Sequence, residues 1–409
     1  QAFLCVEFAG DNAIVSAADG SLITFDGKFQ ATGVVPAHDG PITAMFADTR
    51  AGTLLTGGAD GQLKVWNASG RLSEMKSHTF GSGIRSVCVE PGLPILVGTE
   101  QSEIVQLSAD FSTVTVVSEA HYAVRHHIGE LWGLDTHPSK DEYVTCGDDG
   151  TVRTWNRRSH QMIAKAKLET LARAVKYSPD GSQIAVALGG RLGGKEEGPV
   201  GQFHVLDATT LEVVHTGRDS EQWIQDVKWS PDGNTLAVAS HDNKIYLYDA
   251  TAEFALKATC SGHSSYITHI DFTSDSKFLQ SNCGAYELLY HLSSNGEQVT
   301  SATTVRDTEW FTWTCTLGWP VEGIWPPAAD GTDINGVARS HSGKYVATSD
   351  DFGRVRIFNY PVTAKGLETS DGLGHSSHVT NVRWNSDDTY LLTTGGNDKT
   401  LFQWRAVPL

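Results

Sequence analysis

The 409-residue chain is 40% hydrophobic and 19% charged, with a formal charge of −17, so it can bury a large core and is not a disordered chain. The acidic balance argues against general nucleic-acid binding, which needs a basic footprint, and no apolar run is long enough to cross a bilayer as a helix. Six cysteines (Cys5, Cys88, Cys146, Cys260, Cys283 and Cys315) are scattered through apolar stretches with no CxxC pair, a pattern that suits free thiols in a reducing compartment.

Read along the chain, one unit recurs. A short alternating strand leads to a polar turn and a second strand with Thr, Ser or Gly near its end. A tight turn often carrying Asp follows, and then a third strand, commonly ending in an aromatic. The third strands end near Phe25, Trp66, Leu107, Trp155, Val205, Tyr248, Tyr290, Phe358 and Trp404. Most spacings are roughly 40 to 50 residues, the period of a propeller blade; the stretch from Tyr290 to Phe358 is longer. AVKYSPDGSQIAVAL and DVKWSPDGNTLAVAS alternate as strands do when both sheet faces are covered. Ser178-Pro179-Asp180-Gly181 and Ser230-Pro231-Asp232-Gly233 suit type I turns between them. No segment has a helical period.

The expected fold is therefore all-β, a β-propeller of four-stranded antiparallel blades with eight or nine units across 1–409. Nine triplets joined by eight connecting segments leave one outer strand short, and a propeller closes so as to leave no free sheet edge. The first unit, about 1–30, is thus expected to close with, or belong to, a preceding propeller. Residues 189–201, GGRLGGKEEGPVG, are expected to form a hairpin insertion within a blade.

Three units carry a fuller signature: His38, Thr56, Asp60 and Trp66; His127, Thr145, Asp149 and Trp155; His375, Thr394, Asp398 and Trp404. The offsets agree to within one residue, which predicts one hydrogen-bonded chain per blade with the Asp fixing the His tautomer. A catalytic triad is needed once, whereas a blade network recurs, so these sets are expected to be structural. Gly189 to Lys195 has the form of a phosphate-binding loop, but Glu196 stands where Ser or Thr would bind magnesium. His121, His126, His127 and His137 lack a tetrahedral ligand spacing. No catalytic residue, metal or cofactor is therefore assigned.

The quartets, with SGH at 261–263 and LGH at 373–375, resemble the WD-repeat family. TCTLGWPVEGIWP at 314–326 and DGTDIN at 330–335 resemble the C-terminal propeller of the echinoderm microtubule-associated protein-like (EMAP-like) family. ELWGLDTHPSK at 130–140, SPDGNTLAVASHDNKIY at 230–246, CSGHSSYITHIDF at 260–272 and GHSSHVTNV at 374–382 extend the likeness over nearly the whole chain. The resemblance implies a non-enzymatic scaffold of the cytoplasm and its microtubule cytoskeleton, extending to the ciliary axoneme. Its implied partners are tubulin or microtubules and other cytoskeletal proteins, with neither nucleic acid nor membrane among them. A generic WD-repeat adaptor is the alternative, and a propeller enzyme the reading from another class.

Two clusters are candidate partner contacts. Arg157, Arg158 and Lys165 lie in the least acidic stretch of the chain, with Arg153, Lys167, Arg173 and Lys176, and suit the acidic surface of tubulin. Trp319 and Trp325 belong to an aromatic group with Trp310 and Trp313, for which core packing between blades is one reading and a recognition surface lined by some of the indoles the other.

Overall fold

The computed structural model describes residues 2–90, 92–122, 129–192, 195–196, 201–326 and 329–406. Among the described residues, nine antiparallel sheets are built from sequential strands, seven of them four-stranded and two three-stranded, with a separate two-stranded ribbon. The all-β expectation is met, and each third strand falls at its predicted place, from Ser21–Phe25 to Leu401–Arg405. The chain divides into two compact units, 1–122 and 123–409.

The first unit holds three sheets in succession, spanning 3–36, 42–79 and 84–119. Apolar side chains fill the spaces between neighbouring sheets: Ile14, Leu22, Leu54 and Trp66 in one, and Leu55, Leu63, Ile84 and Val97 in the next. The sequence set only the first 30 or so residues apart; in the structure all three sheets group together.

The second unit is a ring of six sheets. Except at the wedge described below, the space between each sheet and the next is packed with alternate side chains, as the doubly apolar strands Gln183–Leu188 and Thr235–Ser240 require. Phe203, Trp229, Tyr248 and Phe254 fill one such space. Leu134, Tyr143 and Leu392 fill the space that closes the ring, between the sheets of 131–167 and 379–405. Hydrogen bonds seal that junction: Thr136 Oγ1 donates to Trp384 O (2.8 Å), Thr380 Oγ1 to Leu131 O (2.7 Å) and Asn381 Nδ2 to Trp132 O (3.1 Å). The ring therefore closes without the first unit, which one continuous nine-unit propeller would not do.

Between the sheets of 267–292 and 334–373 the ring contains a wedge of irregular chain, and this accounts for the long spacing in the sequence. Phe311 N donates to Phe272 O (3.0 Å) on one side, and Arg339 N to Trp313 O (3.2 Å) on the other. The buried carboxylate of Asp271 accepts from the backbone N–H groups of Thr314 (2.7 Å) and Cys315 (2.9 Å), and from Lys228 Nζ (3.4 Å). Trp310 and Trp313 pack edge to face inside the wedge, over Val321 and Ile324. The insertion at 189–201 begins as a small ribbon, Arg191–Leu192 with Lys195–Glu196; residues 193, 194 and 197–200 lie outside the described residues.

All six inner strands of the ring carry a register shift at one place, between Leu131 and Gly133, Ala172 and Ala174, Ile224 and Asp226, Ile267 and His269, Ile334 and Gly336, and Val379 and Asn381. A bulge adds one residue and re-aims its side chain. The six extra residues, Trp132, Arg173, Gln225, Thr268, Asn335 and Thr380, all line one end of the central channel.

Candidate interaction surface

Recurrent histidines tie together the rims of several blades. In the 42–79 sheet, Trp66 Nε1 donates to Thr56 Oγ1 (2.9 Å), and Thr56 Oγ1 bonds His38 Nε2 (2.8 Å). His38 Nδ1 meets Asp60 at 3.0 and 3.1 Å. The Asp60 carboxylate also accepts from the backbone N–H groups of Asp39 and Gln62. The proton order follows: indole N–H to hydroxyl, hydroxyl to Nε2, Nδ1–H to carboxylate. Burial pushes the His38 pKa down, which keeps the ring neutral. Burial works against the Asp60 carboxylate, yet hydrogen bonds from Gln62, His38 and Asp39 hold its pKa below the usual value.

In the 379–405 sheet the network is His375, Thr393, Asp398 and Trp404. His375 Nε2 bonds Thr393 Oγ1 (2.8 Å), which accepts from Trp404 Nε1 (2.9 Å), while Nδ1 meets Asp398 at 3.3 Å and Thr400 Oγ1 at 3.0 Å. Thr394, expected in this role, instead bonds Thr380 Oγ1 (3.0 Å). The tight turn after Thr393 is one residue longer than its counterparts, so counting back from the Asp lands one position late, and successive strand residues face opposite ways. In the 131–167 sheet Trp155 Nε1 donates to Thr145 Oγ1 (2.8 Å), and Asp149 Oδ1 accepts from Thr151 N (3.0 Å) and Thr151 Oγ1 (2.8 Å). His127 lies outside the described residues.

A fourth network went unread in the sequence. His263 Nε2 bonds Ser281 Oγ (2.7 Å), and Nδ1 meets Glu287 (3.2 Å), whose carboxylate also accepts from Ser264 N (2.9 Å). Its signal was the spacing from histidine to hydroxyl, 18 residues here, in His38 to Thr56 and in His375 to Thr393. Glu in place of Asp, and no Trp on the third strand, hid it. Cys283 Sγ joins His263 and Glu287 within 4.8 Å. Both ring nitrogens are already bonded, and burial pushes the thiol pKa up, so the thiol keeps its proton and these atoms form a hydrogen-bond network before they form a metal-ligand set.

The hydroxyls of Thr56 and Thr393 are fully buried and capped by an indole N–H. An attacking oxygen has to reach a substrate, and these do not.

The chain's similarities agree with this geometry. The family described as the echinoderm microtubule-associated protein second beta-propeller matches residues 131–406, which is the ring, and the WD domain, G-beta repeat, matches 29–67. The chain belongs to the echinoderm microtubule-associated protein family. Human echinoderm microtubule-associated protein-like 2 is 40% identical over 99% of this chain and 61% of its own length. The mouse echinoderm microtubule-associated protein-like 1 is 39% identical over 99% of this chain and 48% of its own. The 77 kDa echinoderm microtubule-associated protein of Strongylocentrotus purpuratus is 35% identical over 99% of this chain and 57% of its own. The chain thus spans roughly half to three-fifths of the length of these relatives.

In this EMAP-like ring the candidate contact residues separate by exposure. Arg157 is buried: Nε donates to Asp141 Oδ1 (2.9 Å) and the guanidinium lies 4.1 Å from the Tyr390 ring centre. Arg157 is thus an internal clamp across the ring closure, and the sequence reading of it as a surface cation is corrected. A planar guanidinium can pair with a carboxylate and stack at the same time; Asp141, in Arg157's own sheet, supplies the carboxylate and Tyr390, in the closing sheet, the ring. Arg158 is 77% exposed, with Nε 2.5 Å from Asp141 Oδ2, and Lys165 is exposed on the outer strand Met162–Lys167. Trp319 is 68% exposed at the start of a short 3-10 helix, Trp319–Ile324. Trp325, at its end, is half-buried and donates Nε1 to Thr316 O (3.3 Å). Of the five, Arg158, Lys165 and Trp319 are exposed.

Proposed function

We propose that this chain is a non-enzymatic scaffold of the tubulin and microtubule system, acting in the cytoplasmic cytoskeleton and extending to the axoneme. The observation that carries this reading is the ring itself. Its recurrent titratable groups are committed to blade networks, while Arg158, Lys165 and Trp319 stay exposed on a family fold whose named relatives are microtubule-associated. Against a formal charge of −17, contact with acidic tubulin has to be local, so basic side chains and an aromatic anchor carry it. The same charge disfavours nucleic acid as a partner.

Co-sedimentation of the 409-residue chain with polymerised tubulin over a salt series tests this. Binding is expected to weaken as salt rises, and Arg158→Glu with Lys165→Glu is expected to lower affinity roughly tenfold at low salt and flatten the salt dependence. Arg157 stays unchanged in that variant because it holds the ring. No pelleting of the parent chain at any salt would leave the generic adaptor as the better reading, and pelleting unaltered by the double reversal would remove this surface from the contact.

A further inference from the structure

The central channel of the ring is pinched by charge. At one equivalent position the six inner strands present Asp135, Lys176, Lys228, Asp271, Ala338 and Arg383, each set by its pairing with the neighbouring strand. Asp226 and His269 sit one step nearer the bulges. This belt separates two cavities of about 220 and 190 Å³, and Lys176 and Arg383 line both. The belt charges balance, three cations (Lys176, Lys228, Arg383) facing three carboxylates (Asp135, Asp226, Asp271).

Hydrogen-bonding capacity does not balance. Asp135 accepts from Lys176 Nζ (2.6 Å) and Tyr177 N (3.0 Å), and Asp226 from Val227 N (2.9 Å) and Ile270 N (3.2 Å). Asp271 is bonded to Lys228 and the wedge. Every carboxylate oxygen of the belt thus has a donor. On the cation side, Lys176 has three ammonium hydrogens, one of them committed to Asp135. Arg383 bonds Val382 O through Nη1 (2.6 Å), while its buried Nε has no acceptor among the described residues and lies 3.8 Å from Asp135, a carboxylate already shared. His269 donates Nε2–H to Asn335 O (3.2 Å), and its Nδ1 lone pair lines the same cavity. Spare donor capacity at the waist is therefore held by two cations, Lys176 and Arg383, which suits an anionic acceptor, beside a spare acceptor at His269 Nδ1 that suits a protonated or N–H-bearing group.

The larger cavity opens at the bulged end. Gln225 and Asn381 line it, and Tyr266 and Tyr286 stand at its mouth, 39% and 53% exposed. Its volume would hold about seven waters at roughly 30 Å³ each, which is room for one extended side chain and too little for a helix. We propose that this channel binds an acidic peptide by taking one glutamate side chain down to Lys176 and Arg383, with the peptide backbone crossing Tyr266 and Tyr286. The inference goes beyond the tubulin contact above, since it concerns the channel and not the outer strand.

Fluorescein-labelled hexaglutamate, titrated into the 409-residue chain and followed by anisotropy, is the direct test. Saturable binding is expected, competed by unlabelled hexaglutamate and far less well by free glutarate. Gln225→Glu keeps an oxygen for His241 Nε2, which lies 3.2 Å from Gln225 Oε1, and adds a negative charge to the cavity wall. It is expected to weaken binding roughly tenfold or more, and Arg383→Met to do the same, with circular dichroism and thermal melting reporting whether each variant folds. Absence of saturable binding by the parent chain would overturn the proposal, as would binding that folded Gln225→Glu leaves unchanged. Competition by glutarate equal to that by hexaglutamate would overturn the assignment to a peptide.

Discussion

Replacing Asp271 with alanine is expected to cost about 3–5 kcal/mol of stability, the range for removing one partner of a buried ion pair and stranding the other. Asp271 is wholly buried and Lys228 nearly so. The same carboxylate accepts the backbone N–H groups of Thr314 and Cys315. Its loss would therefore strand an ammonium and release the wedge that fills the gap between two sheets. Although burial opposes ionisation, Lys228 and the hydrogen bonds from Thr312, Thr314 and Cys315 hold the Asp271 pKa well below the usual carboxylate value. A depressed folded-state pKa contributes stability that is present above the unfolded value near 4 and is lost as pH falls toward the folded one. Urea unfolding of the parent and Asp271→Ala chains at neutral pH measures the loss. Adding Lys228→Met should recover part of it, because the stranded charge is then gone. A loss under about 1 kcal/mol would mean that the pair and the wedge are not what closes this gap.

Thr393→Val and Thr394→Val, one residue apart, are expected to differ sharply. Thr393 serves two partners, the buried His375 Nε2 and the half-buried Trp404 Nε1, and each orphaned group costs about 1–3 kcal/mol. Valine keeps the shape and removes the hydroxyl, so a loss of about 2–4 kcal/mol is expected at 393. Thr394 bonds Thr380 Oγ1, which keeps its bonds to Leu131 O and Thr394 O after substitution; about 1 kcal/mol or less is expected there. Thermal or urea unfolding of the two variants decides it. Equal losses would show that the histidine networks do not set blade stability.

The same pair of residues shows why the fold was legible in the sequence and the side-chain network less so. Strand alternation and turn chemistry recur in every unit, and an error of one residue in any of them leaves the period intact. A hydrogen bond has no such tolerance. Counting back from Asp398 gives Thr394, whereas counting 18 forward from His375 gives Thr393, and that second offset also finds Ser281 from His263. The histidine end is the dependable one because the inner strand and its turns keep their length, while the tight turn before the carboxylate varies. Arg157 and Arg158 make a similar point. They are neighbours in sequence and were read together, yet one is sandwiched between Asp141 and Tyr390 and the other is in water. The difference lies in the sheet of 379–405, which arrives from more than 200 residues away along the chain. The ionic belt was unreadable for the same reason, since Asp135, Lys176, Lys228, Asp271 and Arg383 meet only once the ring has formed.

The closure joins Leu131 and Trp132 to Thr380 and Asn381, 249 residues apart. Contacts so distant along the chain carry the largest loop-closure cost and slow the search for the native state. During synthesis the first five sheets of the ring would leave the ribosome with one apolar flank uncovered, around Leu134 and Tyr143, until 379–405 had also emerged. For that interval the nascent protein presents a sticky surface of the kind that chaperones hold.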